Sequence, residues 1–410
     1  EQHQMPPRNA VLGDQGAGHV DAFERAADGE VVGPDGPPNV SPRGRLASSG
    51  RAHAGRRVIR LPDLAGRSPS AEAGLRLLVD ASRVVPADAS VSGAVAVEVV
   101  ADGSFELRRD RDPFRPAAGV VQVPGAALER ISEVAGASQE QASAERDRFG
   151  RVPASANAMV AAGVERRPVL SELAVAFRRA VVHAAGDRPF RAMAPWPDGH
   201  RWAAVLSHDL DVVAGWHLFA ALRAFELLGK LELGRVSRVV AAAATAGVDP
   251  VTRGVADLLA IESASGVPSS WFILAGSPTF RSWRRGDVTY RPESKRAHGL
   301  LERIRSGGHE VGLHGSFDTM EHPAAFTEQR TRLAALTAAP PTGVRQHFLR
   351  MRPMETQRAM AGAGFTYDST FGFADRNGFR LGLADVAPLP GAANFDLLPF
   401  CWMDRALSKY

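Results

Sequence analysis

The chain has 410 residues, 45% of them hydrophobic and 23% charged, a composition that suits a soluble globular protein and excludes collagen, coiled coil or wholesale disorder as the main description. Its 49 Lys and Arg against 45 Asp and Glu leave a formal charge of +4, too little to indicate nucleic acid, and all but Lys230, Lys295 and Lys409 of those cations are Arg. The single cysteine, Cys401, forbids an internal disulfide, and no uninterrupted apolar run reaches the roughly 18 residues of a membrane span.

Residues 1–57 are rich in Pro, Gly and Arg, carry few aromatics and show no sustained period, so they read as a disordered arm. No leader is visible, which leans toward the cytoplasm, but the chain opens at Glu1 without Met and the compartment stays open. From residue 58 to 195 a small α/β domain is predicted. Val95, Val97 and Val99 share one face of a strand, a turn at Asp102-Gly103 and a second run over 105–108 complete a hairpin, and helices follow near 126–135 and 169–184. Nothing in this region carries chemistry by pattern.

Pro195-Trp196-Pro197-Asp198-Gly199 punctuates the start of a last region, 196–410. Strands are predicted over 203–207, 270–274, 310–313, 343–346, 365–367 and 395–399, alternating with helices over 218–244, 255–265, 294–306, 324–338 and 354–363. Strand then helix, repeated, means a parallel sheet, open or closed into a barrel, with the site at the C-terminal strand ends.

Three of those ends bear polar clusters: Ser207-His208-Asp209-Leu210-Asp211, His314-Gly315-Ser316-Phe317-Asp318 and Arg345-Gln346-His347-Phe348. Alternation puts Asp209 and Asp211 on one side of an extended segment, where both can stay ionised cheaply only if a cation neutralises one of them. The other is then free as a general base. His314 offers an imidazole and Asp318 an oxygen from the following turn, a donor mixture that suits zinc, with cobalt or manganese as substitutes. Arg345 can pair with the free carboxylate and orient it. His208 faces the opposite way, so it and His309 read as packed histidines, and Cys401 as a small hydrophobe.

These motifs resemble the polysaccharide deacetylase (NodB-homology) family, the fourth family of carbohydrate esterases. The resemblance covers roughly the last half of the chain, through Ser207-His208-Asp209-Leu210-Asp211, Gly308–Ser316, Gly343–Phe348 and Gly364–Thr370 in order, and points to the branch with a His-Asp-x-Asp first motif and an Arg-x-His third. It implies a distorted (β/α) barrel, glycoside hydrolase/deacetylase-like, cut before its final strand and preceded by the small α/β domain. It also implies removal of an acetyl group, N-acetyl amide before O-acetyl ester, from a carbohydrate, with metal-bound water as nucleophile. By the same likeness Asp209 is the base, Asp211 and His314 bind metal, Arg345 orients the base, Phe348 lies beside the substrate with a backbone amide near the oxyanion, and Asp368 sits at the pocket rim.

Two features depart from the family. Asp318 stands where its second motif has another histidine, so the third ligand is either Asp318 or His347, the latter standing where the third motif usually has Pro. The Leu-x-His that supplies the general acid is not found before Tyr410. A catalytically silent binding protein on the same fold, or an amide hydrolase acting on a non-sugar, are the alternatives; oligomeric state is not legible.

Overall fold

A computed structural model describes residues 59–63, 66–86, 94–101, 104–187, 200, 202–213, 216–245, 249–392 and 394–404. The arm predicted over 1–57, the Asp102-Gly103 turn and the Pro195–Gly199 punctuation lie outside them. Arg56–Met193 and Ala203–Tyr410 form one compact unit, which holds both sheets. Among the described residues no helix is long and apolar enough to cross a membrane.

The first sheet has four strands: β1 (Ile59–Arg60), β2 (Val95–Val100), β3 (Arg115–Ala117) and β4 (Val120–Pro124), in the order β1-β2-β4-β3. Val95 and Val97 point into the core, as their alternation requires. The predicted partner run 105–108 is a turn instead, because Asp110 captures the Glu106 N–H at 2.6 Å and its own N–H returns to the Glu106 carbonyl at 2.9 Å. The antiparallel hairpin is β3–β4, while β2 pairs in parallel with β1 and β4. Helices Pro69–Ser82, Gly125–Ala135 and Val169–Ala185 bury their apolar faces in this part of the core. The first of them starts cleanly, with Ser68 accepting from the Ala71 N–H and Pro at its first position.

The second sheet has seven strands: β5 (Ser207–Leu210), β6 (Ser270–Leu274), β7 (Glu310–Gly315), β8 (Gly343–Gln346), β9 (Tyr367–Asp368), β10 (Ala387–Pro388) and β11 (Asp396–Leu397). Their order is β10-β11-β9-β8-β7-β6-β5, parallel throughout except at β10. Each of the six predicted strands has a counterpart, alternating with helices as expected, but β5 begins only at Ser207, where its predicted span 203–207 ends, β9 begins only at Tyr367, and β10 is an addition. Among the described residues no pairing joins β5 to β10, so a closed barrel is not what the hydrogen bonds draw. The predicted helix 218–244 is two helices, Trp216–Gly229 and Leu233–Thr245, because Leu231 turns left-handed (φ 57°) and the N–H groups of Lys230 and Glu232 close back on the Leu227 carbonyl.

Register lines up the chemistry. Leu274 pairs with His314 and His314 with Arg345, so the β7 and β8 ends stand side by side, and β5 ends next to β6. The close spacing of β8 and β9 depends on Gly343: a Cβ there would fall within the ring of Tyr367, itself buried. Gly343→Ala is expected to destabilise the protein by about 1–3 kcal/mol through overpacking. Urea unfolding measures this, and a change within error would mean that the ring can move aside.

Residues 140–171 also bond directly to 379–384. Arg380 forks onto Glu140 (2.7 and 3.0 Å), both nearly completely buried, and Asn157 donates to Glu140 at 2.6 Å and to the Arg380 carbonyl at 3.0 Å. A carboxylate and a guanidinium out of water need this full set of partners.

Candidate metal centre

Ser207, Asp209 and Asp211 alternate onto one side of β5 and its continuation. Asp211 Oδ1 lies 3.2 Å from His314 Nε2 and 3.3 Å from His347 Nδ1, and the two imidazole nitrogens are 3.0 Å apart. Asp211, His314 and His347 thus offer three donor atoms within 4.8 Å of one another. Both histidines are buried; the Asp211 side chain is about half exposed at 49%, yet its Oδ1 is buried and has no hydrogen-bond partner.

The tautomers follow from what the far side of each ring meets. His314 Nδ1 is 2.9 Å from the Arg345 carbonyl and His347 Nε2 is 3.0 Å from the Gly286 carbonyl. A carbonyl can only accept, so those nitrogens carry the protons and the facing pair present lone pairs. Two imidazole lone pairs at 3.0 Å, next to an orphaned carboxylate oxygen, repel unless a cation stands among them. The donor set therefore fits a divalent metal of the nitrogen- and oxygen-binding kind. With no cation bound, a proton is the substitute. Burial opposes charging His314, but Asp209 and Asp211 outweigh it and raise its pKa; burial likewise opposes ionising Asp211, but the two histidines outweigh it and hold its carboxyl far below the usual range.

Asp209 stands beside the cluster, Oδ2 at 3.9 Å from His314 Nε2 and the side chain a quarter exposed. Its Oδ1 accepts from Arg345 Nη1 at 2.9 Å. Arg345 is buried between the rings of Phe272 and Phe400, at 4.4 and 5.0 Å, and its other N–H groups go to Ser207 Oγ, Ser369 Oγ and the Ser369 carbonyl, each at 2.8 Å. Four of its five N–H groups are directed, which holds the guanidinium in one orientation and fixes Asp209 Oδ1 while leaving Oδ2 outside the clamp.

Two residues singled out by the sequence are placed elsewhere. Asp318 rides on the short turn Phe317–Met320, which carries its half-exposed carboxylate outward to Arg285 Nη1 at 3.1 Å, away from the cluster. Asp368 is not at a rim: it is completely buried, accepting from Thr370 N–H and Oγ–H and from Gln357 Nε2, and burial pushes its pKa up to about 6 despite those donors. Phe348 adjoins the cluster, its ring 4.0 Å from that of His347, on a backbone with φ 57°. His208 and His309 are bound away from the site, to Glu262 at 2.6 Å and to Ser269 at 3.0 Å respectively.

The loop 286–290 escapes motif reading. It contributes the Gly286 carbonyl to His347, Thr289 Oγ to the Asp211 carbonyl at 2.8 Å, and Tyr290 OH to the Leu210 carbonyl at 2.8 Å while accepting from Leu274 N–H. Buried Asp287 accepts from Phe317 N–H at 2.9 Å. A carbonyl ligand-holder leaves no mark in sequence, since every residue has one.

No family profile and no curated protein matches the chain. Solved structures similar to it include a provisionally assigned polysaccharide deacetylase from Mycobacterium smegmatis, 20% identical over 50% of this chain and 61% of that one, with a TM-score of 0.31. A Puue allantoinase is 20% identical over 36% of this chain and 44% of that one, with a TM-score of 0.25. The chain spans less than two thirds of either. Overlaps this loose carry no functional weight.

Proposed function

We propose that the protein is a metal-dependent hydrolase that removes an acetyl group from a carbohydrate, an N-acetyl amide in preference to an O-acetyl ester. The observation that carries this reading is the meeting of an orphaned Asp211 oxygen with two lone-pair-bearing imidazoles, directly beside a carboxylate clamped by a buried arginine.

Asp211, His314 and His347 would hold the metal, zinc by donor type, with cobalt or manganese able to substitute. Bound there, a divalent ion supplies a water acidic near neutral pH and a Lewis acid for the acyl carbonyl. Asp209 takes the proton of the attacking water on Oδ2, the oxygen outside the Arg345 clamp, and returns it to the leaving nitrogen as the C–N bond breaks, releasing acetate and the free amine. Arg345 fixes the direction of that oxygen by holding the other one, Asp209 Oδ1, at 2.9 Å. The backbone amide of Phe348 is the proposed donor to the oxyanion, a role worth about 3–4 kcal/mol where it operates. Carbohydrate as the substrate rests on the likeness of the four motifs.

The test is acetate release from N-acetylated chito-oligosaccharides and O-acetylated sugars by the full chain, after chelation and again with zinc restored. Release that needs the metal supports the reading. Stoichiometric zinc without release from either class would leave a silent binding protein.

A further inference from the structure

The turn that follows His347 is strained. Phe348 and Leu349 have φ of 57° and 55°, consecutive non-glycine residues in the left-handed region, where Cβ crowds the backbone carbonyl. Such a turn persists only when its surroundings hold it, and strain of this kind gathers at functional sites. Its brace comes from a remote stretch of chain, Asp147–Arg151.

Arg151 Nη1 donates to the Phe348 carbonyl at 2.8 Å, and in return Arg350 Nε donates to the Phe149 carbonyl at 2.6 Å. Between these two bonds the rings of Phe149 and Phe348 stack at 4.9 Å and 13°. The brace is itself fixed. Asp147 accepts from the N–H groups of Phe149 and Arg151 at 2.8 and 3.0 Å and from Arg151 Nε at 2.7 Å, while Arg350 forks onto Glu321. Arg151 and Arg350 side chains are only 15% and 5% exposed, so their hydrogen bonds compete little with water. The Phe348 ring also lies 4.0 Å from that of His347, whose Nδ1 faces Asp211.

We propose that Arg151 is a positioning residue for the metal centre: with Phe149 it locks the Phe348–Leu349 turn and so holds the His347 imidazole on Asp211 and His314. The inference rests on the metal centre proposed above. It gives the region before the seven-stranded sheet a role in the site, which its sequence does not suggest. Arg151 touches neither ligand atom nor substrate; it acts through Phe348, as outer partners of metal ligands do.

The experiment titrates the metal-free full chain with zinc against a chromophoric chelator and records the visible spectrum of the cobalt form. Arg151→Ala is expected to weaken zinc binding roughly 10- to 100-fold and to alter the cobalt spectrum, because His347 no longer holds one orientation. Arg130→Ala, on helix Gly125–Ala135, is expected to leave both unchanged. A folded Arg151→Ala protein with the affinity and spectrum of the parent overturns the inference. If that variant does not fold, Phe149→Leu, which removes the ring stack and keeps most of the bulk, is read by the same criterion. A parent that binds no zinc overturns the metal centre itself and this inference with it; a parent that binds zinc as tightly as the variant does overturns the inference alone.

Discussion

Asp209→Asn is expected to lower the rate of acetate release by roughly 10²- to 10⁴-fold, the span over which a positioned general base contributes, while zinc stoichiometry stays that of the parent. Asparagine keeps the shape of the side chain, and its amide oxygen can still accept from Arg345 Nη1, now at 2.9 Å from Asp209 Oδ1. What it lacks is an oxygen able to take a proton where Asp209 Oδ2 faces His314 Nε2 at 3.9 Å. The proposed metal donors are Asp211, His314 and His347, three groups that could hold an ion without Asp209, so binding is expected to survive the change. Removing the charge opposite a buried guanidinium is expected to cost about 1–3 kcal/mol of stability, at the lower end because Asp209 is a quarter exposed. Metal analysis, rate and unfolding of the same preparation separate these effects. Equal rates in parent and variant would remove Asp209 from the mechanism.

His347→Ala and Asp318→Ala form the second prediction, and together they decide the third ligand. His347→Ala deletes a buried imidazole whose lone pair faces the Asp211 oxygen at 3.3 Å, so zinc affinity should fall by more than the roughly 100-fold that outer partners account for, and activity at limiting zinc with it. Asp318→Ala breaks only a half-exposed pair with Arg285 at 3.1 Å, of a kind worth about 0–1 kcal/mol. Its zinc affinity should match the parent's. Chelator competition measures both. The reverse result, with Asp318→Ala stripping the metal and His347→Ala retaining it, would mean that the Phe317–Met320 turn swings inward on binding.

The strands are the part of the fold most open to sequence reading. β6 and β8 keep their expected bounds, and β6 is apolar after Ser270, as a strand buried in a parallel sheet must be, whereas β8 turns polar at Arg345 and Gln346 where it reaches the site. The boundary at β5 moves to Ser207–Leu210, yet Asp209 and Asp211 still share a side, since alternation survives a shift of bounds. Hairpin and helix breaks fare worse. The turn at Asp110 and the left-handed residue Leu231 are choices made by single hydrogen-bonded groups, which a period does not register. Asp368 shows the same limit in the site: a motif brings it near the cluster, but only packing decides that it is sealed beneath the surface with Thr370 and Gln357.

By itself the sequence determines which residues can do chemistry here and in what order along the chain they come. Spacing of two along an extended segment is enough to pair Asp209 with Asp211, and strand–helix alternation is enough to send His314 and Arg345 to the same edge of a sheet. Tertiary structure alone brings His347 rather than Asp318 beside Asp211 and His314, because the Phe317–Met320 turn carries Asp318 to Arg285 instead. It alone joins Gly286, Arg151 and Phe149 to the site, through bonds between residues as far as 201 positions apart in the chain. Local periodicity records the direction of a side chain relative to its own backbone; the partner it meets depends on how distant segments pack, and that is settled only when the whole core forms.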